Sequence, residues 1–394
     1  MSARENRAVI SGIGQSDIGR RLGRDELDLT IDAALAAIAD AGLTVADIDG
    51  LATYPGGLGG YPGFSGPGSP VVHDALRLQL NWHSGGAEGP AQLQAVVNAA
   101  MAVSQGLARH VLVYRTVTES TAQGSGRRPG IGLDDGQVTG ALQWTIPFRA
   151  YSAANWLAMY AMRHFHEFGT TERQLAQIAL NGRRNAALND TAIFREPLTM
   201  DDYLAARMIS TPFRLFDCDV PVDGSTALIV STVEHADSVD HPVARIDAVG
   251  TALRGRPSWE QWDDLTTMPA RTSAAQMWSR TDLRPADVDV AELYDGFSWL
   301  TMSWLEALGF CGHGESGPFI EGGGRIALDG ELPVNTHGGQ LSAGRLHGYG
   351  FLHEAVLQLR GEAGARQVAG TPEVAVVSNG GGPVSGCLLL TRLA

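Results

Sequence analysis

Apolar residues recur along this chain in two alternating rhythms. Short runs at Arg7–Gly12, Asp47–Thr53, Leu76–Leu80 and His110–Thr116 predict strands. Between them, Leu27–Ala41 has apolar positions at helical spacing and is closed by Gly42. The Ala/Val-rich stretch Gly89–Gly106 predicts a helix that must be largely buried. Helices recur at Ala153–Phe168 and Thr171–Ala187, and Leu228–Val233 returns to strand. A second series opens near Val243. It runs through a helix at Thr272–Thr281, a strand at Val288–Leu293 and helices at Phe297–Leu308 and Phe351–Gly361, closing with strands at Val374–Ser378 and Gly386–Arg392. Such alternation predicts a mixed sheet covered on both faces. Two series of unequal size suggest two similar α/β halves, 1–240 and 241–394, with an inserted loop domain over about 120–225. The Gly/Pro-rich stretch Pro55–Pro70 predicts a long loop.

Composition narrows the class. The 394 residues are 44% hydrophobic, enough for an ample core. A net charge of -14 argues against nucleic-acid binding through a general electrostatic footprint. No apolar run reaches the roughly 20 residues that span a bilayer, and the first residues lack the apolar core of a secretion signal. A cytoplasmic protein with no membrane partner is expected. Cys218, Cys311 and Cys387 have neither metal-ligand spacing nor an even disulfide set, so no metal site is expected. The chain has no lysine; all 29 residues of the Lys+Arg count are arginine, which excludes Schiff-base chemistry.

Chemistry is concentrated in Asn335-Thr336-His337-Gly338-Gly339-Gln340-Leu341-Ser342-Ala343-Gly344-Arg345-Leu346-His347-Gly348-Tyr349-Gly350. Its glycines suit a tight loop, because glycine tolerates backbone angles that other residues do not. The stretch resembles the NxxGG(x)₄GHPxGxxG loop of the thiolase superfamily, with Arg345 where that family has its catalytic histidine. Further similar segments follow in order: Gly85–Ala91, His110–Arg115, Arg183–Ala186, Leu198–Leu204, Asp217–Gly224, Glu292–Phe297 and Ser378–Gly382. They resemble most the lipid-transfer, sterol-carrier-protein-like branch. The resemblance implies a five-layer αβαβα fold and a homodimer core.

Thiolases use a nucleophilic cysteine, a loop histidine and a second cysteine as acid/base. Here the first position falls in Gly85–Glu88 without a cysteine, the second is Arg345 and the third is Ser378. Arginine is no base at ordinary pH, so covalent acyl transfer is not expected. A pocket of this kind can still stabilise a thioester enolate, and carbon–carbon cleavage without a covalent intermediate fits that capacity.

Tyr294-Asp295-Gly296-Phe297, the helix ending Trp304-Leu305-Glu306-Ala307-Leu308-Gly309-Phe310-Cys311-Gly312, Asn335–Gly339 and Gly344–Gly348 are similar to one subgroup. This is the steroid side-chain-cleaving aldolases of the lipid-transfer-protein-2 type. That likeness implies catalytic tyrosines at Tyr294 and Tyr349. It also implies cleavage of a 17-hydroxy steroid C22 acyl-CoA to a 17-ketosteroid and propionyl-CoA. A partner with a DUF35 domain (zinc ribbon plus OB-fold) is implied too, in an α2β2 heterotetramer, with any zinc on the partner. Coenzyme A enters as part of the substrate, and the chain itself needs no cofactor. A non-catalytic acyl-CoA- or lipid-binding subunit, or a scaffold, is the alternative.

Residue chemistry adds supporting roles. A phenol has a reference pKa near 10 and a nearby cation lowers it; Arg345 and His347 are the candidates. Which tyrosine is base and which is acid stays open. Asp295 orients its neighbours or caps the helix that follows, and Asn335 anchors a turn. His337 and His347 support the loop or move protons. Backbone N–H groups of Gly380, Gly381 and Gly382 are candidates for a thioester oxyanion hole. Arg183 and Arg184 suit CoA phosphates, against an ordinary solvated surface. His353 and Glu354, at a helix start, are expected to cap or face solvent.

Overall fold

Strand β1 (Ala8–Gln15) is buried along almost its whole length, as a strand covered on both faces must be. The structure, a computed structural model, describes residues 4–53, 63–85, 93–126, 142–150, 152–254, 262, 264–382 and 384–393. After β1 come α1 (Glu26–Asp40), β2 (Gly50–Thr53), α2 (Ser69–Leu76), β3 (Trp82–Gly85), α3 (Leu93–Ser104) and β4 (His110–Thr118). The stretch between β4 and the next sheet strand contributes α4 (Ala153–Phe168) and α5 (Glu172–Ala186), followed by β5 (Asp223–Thr232). The second series supplies β6 (Val243–Leu253), α6 (Ala270–Trp278), β7 (Val290–Glu292) and α7 (Ser298–Ala307). It ends with α8 (Tyr349–Arg360), β8 (Val374–Gly380) and β9 (Val384–Leu393).

Among the described residues, nine of these strands form one mixed sheet in the order β3-β2-β4-β5-β1-β6-β9-β8-β7. The sheet has two arms that repeat one plan. From β1 outward the steps are antiparallel to β5, antiparallel to β4, parallel to β2 and parallel to β3. From β6 outward they are antiparallel to β9, antiparallel to β8 and parallel to β7, then a parallel bridge from Ala291 to Val334. Helix α1 packs on strands of the first arm and α6 on strands of the second, whereas α3 and α8 each touch both. The result is helix, sheet, helix, sheet, helix, a five-layer thiolase-like α/β fold. Its place in the central layer explains why α3 is mostly buried, with Met101 its exposed residue.

Three expectations need correction. Leu76–Leu80 is not a strand: Ser69–Leu76 is helical, with Pro70 in its first turn and Arg77 ending it at φ 55°. The edge strand comes later, at Trp82–Gly85. Strand β5 begins at Asp223, not Leu228, because the polar start is buried and pairs with β4 as far as Thr118. Of the long loop expected at Pro55–Pro70, residues 55–62 lie outside the described residues and the last two open α2. Trp259 and Gly86–Glu88 also lie outside them. Among the described residues no helix is long and apolar enough to cross a membrane.

Candidate active site

Asn335 holds a positive φ of 51° and works as a substitute strand. Its Oδ1 accepts from the Leu293 N–H at 2.7 Å, and its Nδ2 donates to the Leu293 carbonyl at 2.9 Å. The next residue is Tyr294, whose N–H donates to Ser378 Oγ at 3.0 Å. Ser378, at the second thiolase cysteine position, therefore anchors the tyrosine backbone. On the other side, α5 and the turn that follows it present three asparagines four residues apart. Asn181 Nδ2 reaches the Val334 carbonyl at 2.9 Å, Asn185 Nδ2 those of Val334 and Asn335 at 3.1 Å, and Asn189 Nδ2 that of His337 at 2.9 Å. At the loop's far end Asn379 Nδ2 donates to the His347 carbonyl. A Cβ on Gly348, which sits at φ 90°, would lie 1.8 Å from that nitrogen, so only glycine fits.

These anchors surround a cavity of about 320 Å³. Phe64, Leu157, Phe297 and Leu300 give it an apolar wall, and Tyr294, Asp219, Arg345, His347 and Gly380 line the rest. Arg345 bonds Glu119 through Nε at 2.9 Å and Nη2 at 2.8 Å, and Asp219 Oδ1 through Nη1 at 2.9 Å. Burial works against its charge, but Asp219 and Glu119 outweigh burial and hold its pKa above the ordinary value. Burial pushes the Asp219 carboxyl up to about 6, with Arg345 pulling down and Glu119 adding to the rise.

Burial and then the Asp219 charge push the Tyr294 phenol above its ordinary pKa, against the pull of Arg345. This overturns the expected lowering of the phenol: Arg345 does pull it down, but burial and then the Asp219 charge outweigh that pull. His347 is no cation either: burial, then Arg115 and Arg345, hold it well below its ordinary pKa. Arg115 Nη2 lies 2.8 Å from His347 Nδ1. Arginine only donates, so Nδ1 accepts and the ring proton sits on Nε2.

The other candidates fall into separate places. Tyr349 is fully buried as the first residue of α8 and does not line the cavity. His337 Nδ1 pairs with Glu292 Oε2 at 3.0 Å, and that carboxylate, outweighing burial, holds the imidazole above its ordinary pKa. Glu354 is not solvated as expected. It is buried, accepting from Thr336 Oγ1 and from Arg366 Nε.

Asp295 does not cap α7. Its Oδ1 accepts from the Gln340 N–H at 2.8 Å, capping the turn Gly339–Ser342, while Oδ2 has no partner. Of the three glycines proposed as oxyanion donors, Gly380 lines the cavity. The Gly381 N–H is used by the Val384 carbonyl, and Gly382 is not in the wall. Arg183 does not reach the surface for a phosphate. It is buried against Phe194 and Phe216 and donates to Ser342 Oγ and the Glu196 carbonyl. Arg184 is exposed and donates to Asn181 Oδ1 and the Gly323 carbonyl.

Sequence reasoning assigned no role to Asp219 or Glu119, and missed the asparagine ladder, whose four-residue spacing was the available signal. Burial pushes all three cysteine thiols up to about 12, so none is a nucleophilic thiolate near neutral pH.

The family described as "Thiolase C-terminal domain-like" matches residues 253–389. The chain is 36% identical to a steroid side-chain-cleaving aldolase of Thermomonospora curvata, covering 99% of each. It is 34% identical to the 17-hydroxy-3-oxo-4-pregnene-20-carboxyl-CoA lyase of Mycobacterium tuberculosis, covering 97% of this chain and 98% of the other. Among solved structures, the Ltp2-ChsH2(DUF35) aldolase superposes with a TM-score of 0.86 at 34% identity, over 98% of each chain. Human mitochondrial 3-ketoacyl-CoA thiolase, at 14% identity, TM-score 0.68 and full coverage of both chains, shares the fold. The chain belongs to the steroid side-chain-cleaving aldolase branch of the thiolase superfamily and is a carbon–carbon lyase.

Proposed function

We propose that the chain is a retro-aldolase that cleaves a 17-hydroxy steroid C22 acyl-CoA to a 17-ketosteroid and propionyl-CoA, without a covalent cysteine intermediate. The observation that carries this reading is the cavity, in which a phenol, a guanidinium held by two carboxylates and a neutral imidazole stand together. No described lining residue is a cysteine. Such a site suits an enolate and a departing ketone rather than an acyl-enzyme. The two bacterial relatives, both steroid-directed by name, support the substrate class.

Tyr294, protonated by its burial, is the acid of this reading. Tyr349 is its second phenol, assigned by the loop that carries it rather than by the cavity wall. By likeness to the Ltp2-ChsH2(DUF35) aldolase, the chain works with a DUF35-domain partner. Two copies of each chain, with any zinc on the partner, complete this reading. The halves 1–240 and 241–394, which match the two arms of the sheet, are part of the same reading, as is a cytoplasmic setting.

The test supplies 17-hydroxy-3-oxo-4-pregnene-20-carboxyl-CoA to the chain, alone and co-expressed with a DUF35-domain protein, and follows both products by mass spectrometry. Cleavage by the wild type is expected. Tyr294→Phe and Tyr349→Phe should each lower kcat by on the order of 10²-fold. Binding without turnover in both preparations would make the chain a carrier of this substrate instead. Near-normal turnover by both variants would remove the tyrosine chemistry.

A further inference from the structure

The cavity carries two apolar surfaces of separate origin. The broad one is built by Ala153, Ala154 and Leu157 at the start of α4 and by Phe297 and Leu300 at the start of α7. Phe297 is braced from behind by the buried Phe213, ring centroids 5.5 Å apart. The narrow surface is a single ring, Phe64, which comes from the segment between β2 and α2. We propose that Phe64 is a specificity-determining residue of this reaction, setting the size of the substituent that the α-carbon of the acyl-CoA can carry. The assignment rests on the retro-aldol reading above.

The backbone around Phe64 is fastened to β4. The Thr118 N–H donates to the Gly63 carbonyl at 2.7 Å, and the Tyr114 hydroxyl donates to the Pro67 carbonyl at 2.7 Å. Gly63 sits at φ 74°, and a Cβ there would run into the Thr118 carbonyl. A Cβ on Gly66 would lie 2.5 Å from that of Thr116. Segment and strand therefore meet with no side chain between them at either glycine, which fixes the position of Phe64 between the two. Its ring is held as well. The His347 ring lies against it with centroids 4.7 Å apart and planes tilted by 57°, and the Arg115 guanidinium carbon stands 4.9 Å from the ring centre. Arg115 is fully buried and also donates to His347 Nδ1. A ring clamped by its backbone, by an imidazole and by a buried cation is a rigid wall.

The substrate divides between the two surfaces by its own chemistry. The bond that breaks joins a ring carbon of the future ketone to the α-carbon of the acyl-CoA. The ring system is the larger apolar body and needs the broader surface. The thioester is polar and belongs at the rim that Arg345 and His347 form. The α-carbon is bonded directly to the thioester carbonyl, so its substituent falls on the apolar surface that touches this rim. Phe64, in contact with His347, is that surface. A pocket closed by a rigid ring admits a methyl group and refuses a longer one by overlap. One methylene in such a pocket changes kcat/KM by about 10–200-fold.

The test uses the full chain with its DUF35-domain partner and two 17-hydroxy steroid acyl-CoAs with one ring system, bearing a methyl or an ethyl group on the α-carbon. Cleavage releases propionyl-CoA from the first and butanoyl-CoA from the second. The wild type is expected to prefer the methyl substrate by about 10-fold or more in kcat/KM. Phe64→Ala should raise the ethyl-to-methyl ratio by about 10-fold or more, with kcat/KM for the ethyl substrate above that of the wild type. Phe64→Trp should move the ratio the other way. Both substrates meet the same protein, so the ratio does not depend on how much of a variant is folded. If Phe64→Ala lowers both rates together and leaves the ratio unchanged, the ring is only structural and the proposal fails. It fails too if Leu157→Ala, on the broad surface, shifts the ratio as far as Phe64→Ala does. A wild type that cleaves both substrates equally well overturns the proposal while the retro-aldol reading stands. A wild type that cleaves neither sinks that reading together with this one.

Discussion

Asp295 is a carboxylate with one oxygen satisfied and the other buried without a partner. Burial pushes it up to about 7 from an ordinary value of 3.8. Between those values the folded chain keeps a proton that the unfolded chain releases. Stability from this group is therefore present at low pH and lost as pH rises from about 4 through about 7. Asp217 and Asp219, each near 6, act in the same direction. Denaturant titrations are expected to give lower stability at pH 8 than at pH 5. Asp295→Asn should shrink that difference by on the order of 2 kcal/mol; an unchanged difference would remove Asp295 as its source. Tyr294, Asn335 and Arg345 could be picked out because they sit within or beside a glycine frame with a recognisable spacing. Asp219 and Glu119 could not. They meet Arg345 across 126 and 226 residues of chain, and such contacts leave no local pattern. The expected lowering of the phenol failed for a related reason: the cation was visible in sequence, but the burial of the phenol and the Asp219 charge beside it were not.

At the scale of elements, the site depends on how α5 grips the loop. Asn185 serves two carbonyls at once, those of Val334 and Asn335, and Asn335 in turn positions the residue before Tyr294. Asn185→Ala would leave both buried carbonyls without this donor, a loss of about 1–3 kcal/mol. Turnover should fall beyond what the loss of folded protein explains, measured as kcat per folded molecule below the unfolding transition. A variant with normal kcat per folded molecule would mean that the ladder supports the fold alone. Long elements with a strong period, such as α1, α4, α5 and α8, were readable to within a few residues. The short run Leu76–Leu80 was misread because a few adjacent apolar residues carry no period that separates helix end from strand. Its true state was set by Pro70 and by Arg77 in the left-handed region.

At the scale of the molecule, the polar groups at the cavity come from both arms of the sheet. Glu119 follows β4 and Asp219 precedes β5 in the first arm, while Tyr294 follows β7 and Arg345 precedes α8 in the second. The site is therefore a product of the plan that the two arms repeat, and the cysteines stand outside it. Cys218 adjoins Asp219 in the chain but does not line the cavity, Cys311 follows α7, and Cys387 is buried in β9. With thiol pKa values near 12, only about one thiol in 10⁵ is ionised at neutral pH. A chain lacking all three, with Cys218→Ser, Cys311→Ser and Cys387→Ala, is expected to cleave acyl-CoA with kcat within about threefold of wild type. Loss of the buried sulfur in β9 should cost about 1 kcal/mol of stability. Intact-mass spectra during turnover should show no acylated protein. An acyl adduct on the wild-type chain, or a folded thiol-free chain that no longer cleaves, would return a covalent thiolase step to this site. The retro-aldol reading could not survive either result, because it moves only protons and one carbon–carbon bond.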